Sequence, residues 1–259
     1  MKRKVRELKR IARGNLLGNY MNLIRAYILV TGISTLVEYP FSMMQTQEQW
    51  SMQNIIYYIA MIVINLIAII LVCGQYKLHL SLARTGKMNL LDLFEPVRNQ
   101  PDRYILTNLI LFGITLLTML PVFGGIAIVY FCDGLIWYGL AAVLSIIGTI
   151  LSTYISLTFN LVFYVLIDNQ NMRPIQALNA TRQMMLTHKK SYLYLQLSFL
   201  GMILLAALTL GIGMLWVEPY MTQTVALFYL DTKGELDAVQ TERRKMEETP
   251  EPTVINHYV

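Results

Sequence analysis

The chain reads as an all-α integral membrane protein with six transmembrane helices, cytoplasmic amphipathic segments and both termini inside. Three observations carry that reading. Of its 259 residues 55% are hydrophobic and only 14% charged, where a soluble domain carries about a quarter charged residues. Its apolar runs are long: Ile55–Val72 holds 18 residues without a charge, enough to cross about 27 Å as a helix. The loops also alternate in charge. Of 21 lysines and arginines, all but Arg25 fall in the arm Lys2–Arg13, the loops Lys77–Arg103 and Arg173–Lys190, or the tail from Lys233. The intervening connections carry none, which is the positive-inside pattern.

The N-terminal arm is an amphipathic helix. Val5, Leu8, Ile11 and Ala12 recur at helical spacing between basic residues, a pattern expected to lie in the headgroup plane. A basic arm before an apolar run also resembles a signal peptide, but Ser34–Met44 offers no small-x-small cleavage site, so the run is a retained first span. Gly14 and Gly18 let the chain turn into span one, about 20–39, which Pro40 closes. An external loop with Glu48 and Trp50 precedes span two, about 54–78. Asn89 caps a short interfacial helix whose Leu90, Leu93, Phe94 and Val97 share a face. Span three, about 104–120, ends at Pro121 and Gly124-Gly125, and Asp133 lies outside. Span four, about 135–167, is longer than one bilayer thickness. It must tilt, break near Gly148, or begin as an interfacial or re-entrant segment.

Pro174 opens a third basic helix, with Ile175, Leu178, Arg182 and Met185 at helical spacing. Spans five and six, about 192–210 and 212–230, leave only Gly211-Ile212-Gly213 to turn between them. Residues 1–231 are thus one membrane domain. The tail 232–259 is acidic, ends in Thr-Pro-Glu-Pro-Thr and beyond, and has too little apolar content to fold alone. Three basic segments, each leading into a span out and a span back, hint at a threefold repeat. Any positive-inside hairpin that begins with a basic helix gives the same pattern.

Few residues suggest chemistry. Glu218 sits within span six, about 9 Å below the external end if that span starts at Ile212. A carboxylate there is costly unless paired, protonated or wet. It is read either as an ion, proton or substrate site, or as a hydrogen-bonded group pinning a helix kinked at Pro219. Arg25 lies inside span one and can snorkel to the cytoplasmic surface. Ser145, Thr149, Ser152, Ser156 and Asn160 share one face of span four, as close packing or a water-lined cavity would require. Asn65 and Asn108 could face the same interior. Cys73 and Cys132 stand apart as small hydrophobes, and His79, His188 and His257 are scattered, so neither a disulfide framework nor a metal site is indicated. No nucleophile elbow or phosphate loop appears. The net charge of +5 is assigned to the cytoplasmic rim, facing anionic lipid headgroups, rather than to nucleic acid.

The C-terminal third carries a resemblance. Ala177-Leu178, Arg182, Leu197-Ser198-Phe199-Leu200-Gly201, Gly211-Ile212-Gly213, Leu215-Trp216, Pro219-Tyr220 and Ala226-Leu227-Phe228-Tyr229 resemble the domain of unknown function 975 family. Arg6-Glu7-Leu8-Lys9 and Gly18-Asn19-Tyr20 look like its opening. The middle departs: the family shows Pro-Gly at the start of its fourth span, and here Gly148 follows Ile147. The resemblance implies a multi-pass protein of the Gram-positive bacterial cell membrane and supplies no catalytic residues. Two function classes stay open. One is a non-enzymatic envelope-stress, immunity or assembly factor, working through lipids, a membrane-protein partner or a second copy. The other is a transporter or channel-like subunit with a polar site near Glu218.

Overall fold

A computed structural model describes residues 3–47, 51–132 and 134–248, with side chains to Lys245. Glu48, Trp50, Asp133 and His257 lie outside the described residues. The described chain is helical throughout: α1 (Val5–Leu16), α2 (Tyr20–Ser42), α3 (Met52–Thr85), a 3-10 turn (Leu90–Phe94), α4 (Glu95–Arg98), α5 (Pro101–Phe131), α6 (Leu135–Phe159), α7 (Val162–Asp168), α8 (Pro174–Met185), α9 (Lys189–Leu197), α10 (Leu200–Leu208), α11 (Met214–Lys233) and α12 (Leu236–Glu248). Five segments are long and apolar enough to cross a membrane: α2, α3, α5, the α6–α7 pair and the α9–α10 pair.

These helices run past their expected ends. Pro40 lies inside α2, and Pro121 with Gly124-Gly125 inside α5. An apolar surrounding has no water to satisfy a broken backbone, so a helix there continues through a proline. Nor does span four break at Gly148. A Cβ at Gly148 would come within 2.5 Å of Val122 Cγ2, which makes that glycine a close-packing point between α5 and α6. The break falls at Asn160-Leu161, where the surroundings change. Most of α6 faces outward, whereas Val162–Ile167 of α7 is buried throughout.

The core gathers on the side where the termini meet, around α11. Every residue of α11 from Val217 to Asp231 is buried except the half-buried Glu218 and Met221. This explains why α11, the expected sixth span, is not among the five apolar segments: buried on all faces by protein, it needs no uniform lipid-facing surface. Tyr76, Tyr164 and Tyr229 stack across α3, α7 and α11 with ring centroids 4.8 and 5.7 Å apart.

The arm α1 lies antiparallel on α11. The Arg3 backbone N–H reaches Asp231 at 3.4 Å, and Arg13 Nε donates to the Tyr220 hydroxyl at 3.1 Å. Its apolar stripe, Val5, Leu8, Ala12 and Leu16, is buried in the common core. The stripe was legible; its partner is protein rather than lipid. Lys9 sits 3.7 Å above the Phe199 ring and donates to Ser198 O. Burial, and then the Arg13 charge, draws its ammonium below its usual range.

Depth along the bundle also departs from expectation. Glu218 shares a cavity with Gln75, and Gln75 lies about 35 Å along α3 from Met52. Because α11 begins at Met214, the α10–α11 turn lies only about 6 Å beyond Glu218. The turn itself is as expected, with Gly211 at φ 87°. The C-terminal hairpin ends well short of the α2–α3 turn. Measured along α3, Glu218 therefore lies nearer the Thr85 end than the Met52 end.

The expected disordered tail is also revised. Residues 236–248 form α12, and Leu236 is buried. Arg3 pairs with Asp237 at 2.7 Å and donates to Gln240 at 2.8 Å. Arg243 donates to Asn15 Oδ1.

Candidate functional site

The polar residues nearest the bundle centre lie where α2, α3 and α11 meet. Pro219 follows Glu218 within α11, and Thr222, one turn on, donates to Glu218 Oε1 at 3.2 Å. Leu23, Ala26 and Tyr27 of α2 and Gln75, Leu78 and His79 of α3 complete the wall. Gln75 donates to Ala26 O at 3.4 Å. Behind this wall the buried His79 pairs through Nδ1 with Gln223 Oε1 at 2.8 Å, while Gln223 Nε2 is buried without a partner among the described residues. The cavity encloses about 10 Å³, at the lower bound of the space one water needs. The site can hold a carboxyl group, its hydrogen bonds and at most a single water; it has no room for a solute.

The other expected site residues do not converge on Glu218. Arg25 is exposed and reaches Asn22 Oδ1 at 3.4 Å. Its neighbour Ala26 lines the Glu218 cavity, so Arg25 and Glu218 share a level. On α6, Ser145 donates back to Ala141 O and Thr149 to Ser145 O, both at 2.8 Å. Ser152 lies 3.2 Å from Thr118 Oγ1 across the α5–α6 seam. Ser156 is exposed. Asn160 accepts from Tyr192 OH at 2.6 Å, fastening α6 to α9. Hydroxyls turned onto their own helix or across a seam, with Gly125 and Gly148 where the partner helix closes in, form a packing face. Asn65 and Asn108 line one lateral groove between α3 and α5, apart from the α6 stripe.

Two constellations escaped the sequence reading. One joins helix ends far apart in the chain. Asp168, its side chain 7% exposed, pairs with Arg84 at 2.6 Å and Lys233 at 2.6 Å and accepts from Tyr229 OH at 2.8 Å. Glu235 bridges the same two cations at 3.0 and 2.5 Å. Burial opposes the Lys233 ammonium, but its bonds to Asp168 and Glu235 leave it above its usual range. The other is Arg103, whose guanidinium binds the carbonyls of Leu166, Asn169, Gln170 and Met172. Both are sequence-distant: the available signal was only a lone carboxylate or arginine at a span end.

The arrangement offers hydrogen-bonded polar fasteners inside a helical bundle, which is the chemistry of holding helices in register. Among curated proteins and solved structures no match is found. A family profile, described as a protein of unknown function (DUF975), matches residues 1–235, which covers every element from α1 to α11. The chain belongs to that family.

Proposed function

We propose that the protein is a non-enzymatic integral membrane factor that acts through lipids or partner proteins. One observation carries the reading: the membrane-level polar groups close on one another as packing contacts, and the cavity at Glu218 encloses only about 10 Å³. A transport subunit would need Glu218 and the α6 stripe in one wet passage, whereas they line separate places. Glu218→Gln keeps shape and hydrogen bonding and removes only the titratable charge. It is expected to complement a deletion strain fully and to melt within about 1 kcal/mol of wild type, whereas Glu218→Leu strands Thr222 and loses about 0.6–2 kcal/mol. Loss of complementation by the Gln variant at normal abundance would restore the transport reading.

The topology belongs to the same proposal. The pairing of Arg3 with Asp237 and Asn15 with Arg243 supports α1 and α12 on one side and an even number of crossings. With the positive-inside loops, that side is cytoplasmic. The short reach of the α10–α11 turn supports four crossings, by α2, α3, α5 and α6, with α9–α11 as a hairpin that enters and returns from partial depth. Such a hairpin is tolerated because its backbone groups are bonded within helices and its polar face is against protein. In a cysteine-free background, a single cysteine at Gln45 is expected to react with an impermeant external thiol reagent, and one at Gly211 to stay unlabelled. Strong external labelling at position 211 would instead establish six full crossings.

A further inference from the structure

The ends of α3 and α5 toward the termini enclose a second, larger polar cavity of about 270 Å³. Its charged lining is Lys77, Glu95, Arg98 and Arg103, three cations against one carboxylate. Glu95 is already committed to Lys77, at 3.0 Å. The Arg98 guanidinium has no hydrogen bond or ion pair among the described residues. Arg103 is 9% exposed, and its Nε is buried without a partner among the described residues. Its two Nη groups are fixed by the carbonyls that end α7, so the guanidinium is held in place with one donor unused. With Glu95 committed to Lys77, Arg98 and Arg103 leave the cavity net positive, and a phosphate matches that charge and the guanidinium of Arg98 in geometry.

The same two helices carry an apolar groove directly beyond this cavity, of about 550 Å³, lined by residues including Ile69, Val72, Asn108, Leu111 and Thr115. Tyr104, in the wall of the polar cavity, lies on the same helical face as Asn108, Leu111 and Thr115. On α3 the step from Lys77 to Val72 is about 7.5 Å, a gap that a glycerol backbone with its ester linkages bridges. A cationic pocket, then Asn108 one turn beyond Tyr104, and then an apolar groove follow the order of phosphate, ester and acyl chain in one molecule.

We infer that this composite cavity is a specific site for an anionic phospholipid, with its phosphate between Arg98 and Arg103 and one acyl chain along the α3–α5 groove. The site rests on the membrane reading above but not on the role of Glu218, which lies in a different cavity. Protein purified in neutral detergent and stripped of lipid is titrated with short-chain phosphatidylglycerol, short-chain phosphatidylcholine and glycerol 1-phosphate, with thermal stabilisation as the readout. Phosphatidylglycerol is expected to bind about tenfold tighter than either other probe, and Arg98→Gln to lose about that factor. Arg10→Gln, which removes the same charge from the exposed side of α1, is expected to bind as wild type. Equal binding of the two phospholipids, or an equal loss in the Arg10 variant, would reduce the effect to diffuse electrostatics and overturn the site. Glycerol 1-phosphate binding as tightly as phosphatidylglycerol would overturn the lipid assignment. Extraction of the protein from membranes by alkaline carbonate would sink the membrane reading and this site together; retention without a phosphatidylglycerol preference sinks the site alone.

Discussion

Gly74→Ala is expected to be the most damaging single methyl that can be added to this chain. Gly74 lies in the buried face of α3 where the 3-10 turn Leu90–Phe94 crosses it. A Cβ there would lie 1.9 Å from Leu93 O and 2.8 Å from Leu93 C. Both atoms are backbone, so no rotamer change relieves the clash, and the turn must withdraw by more than an ångström. It is poorly placed to do so. Leu93 is 1% exposed, Asn89 Oδ1 holds the Leu91 N–H at 3.0 Å, and Lys77 grips Glu95 just beyond the turn. Overpacking of this kind costs about 3 kcal/mol or more, a large share of the 5–15 kcal/mol typical of a folded domain. Gly113→Ala is the control. No heavy atom lies within 4 Å of its added Cβ, and alanine is favoured over glycine in a helix interior by about 0.5–1 kcal/mol. Melting curves in one detergent should therefore shift in opposite directions. A Gly74→Ala protein that melts with the wild type would show that the turn does not press on α3.

How much of this was legible follows from what imposes each feature. A membrane demands uniformly apolar helices, and such uniformity shows in one sequence: α2, α3, α5, α6–α7 and α9–α10 are long and apolar enough to cross one. The stripe on α1 was legible for the same reason, since periodicity reveals a face. It does not reveal what covers the face, and α11 rather than the headgroup layer covers this one. Helix ends were misplaced because Pro40 and Pro121 stop helices in water but not in an apolar medium. The polar stripe on α6 was found by spacing, yet spacing cannot distinguish a packing seam from a cavity. Gly125 and Gly148, against Ala141, Ser145 and Val122, decide for the seam. Asp168 could not be found at all. Its partners Arg84, Tyr229 and Lys233 come from two other helices, and no local pattern announces such a meeting.

The largest departure concerns the C-terminal segment, and it supports the strongest test of the fold. A tail with too little apolar content to fold alone would leave stability unchanged on its removal. The geometry predicts the opposite. Leu236 is 1% exposed within the common core, and its truncation alone is expected to cost about 2–4 kcal/mol. Arg3 spans Asp237 and Gln240, Arg243 reaches Asn15, and Glu235 closes the Arg84–Lys233 cluster at 3.0 and 2.5 Å. These partners are partly exposed, so each polar contact adds about 1 kcal/mol or less. The burial of Leu236 therefore outweighs any single charge. Deletion of 236–259 should lower the melting temperature by several degrees, Leu236→Ala should reproduce most of that loss, and Asp237→Asn should be nearly silent. Membrane insertion is expected to be intact in all three, because every apolar segment precedes the deletion. The helix α12 lies beyond the family match, which ends at residue 235, and its contacts to Arg3 and Asn15 tie it to α1. A deletion protein with an unchanged melting temperature would show that α12 does not dock, and α1 and α12 would then no longer be held to one side.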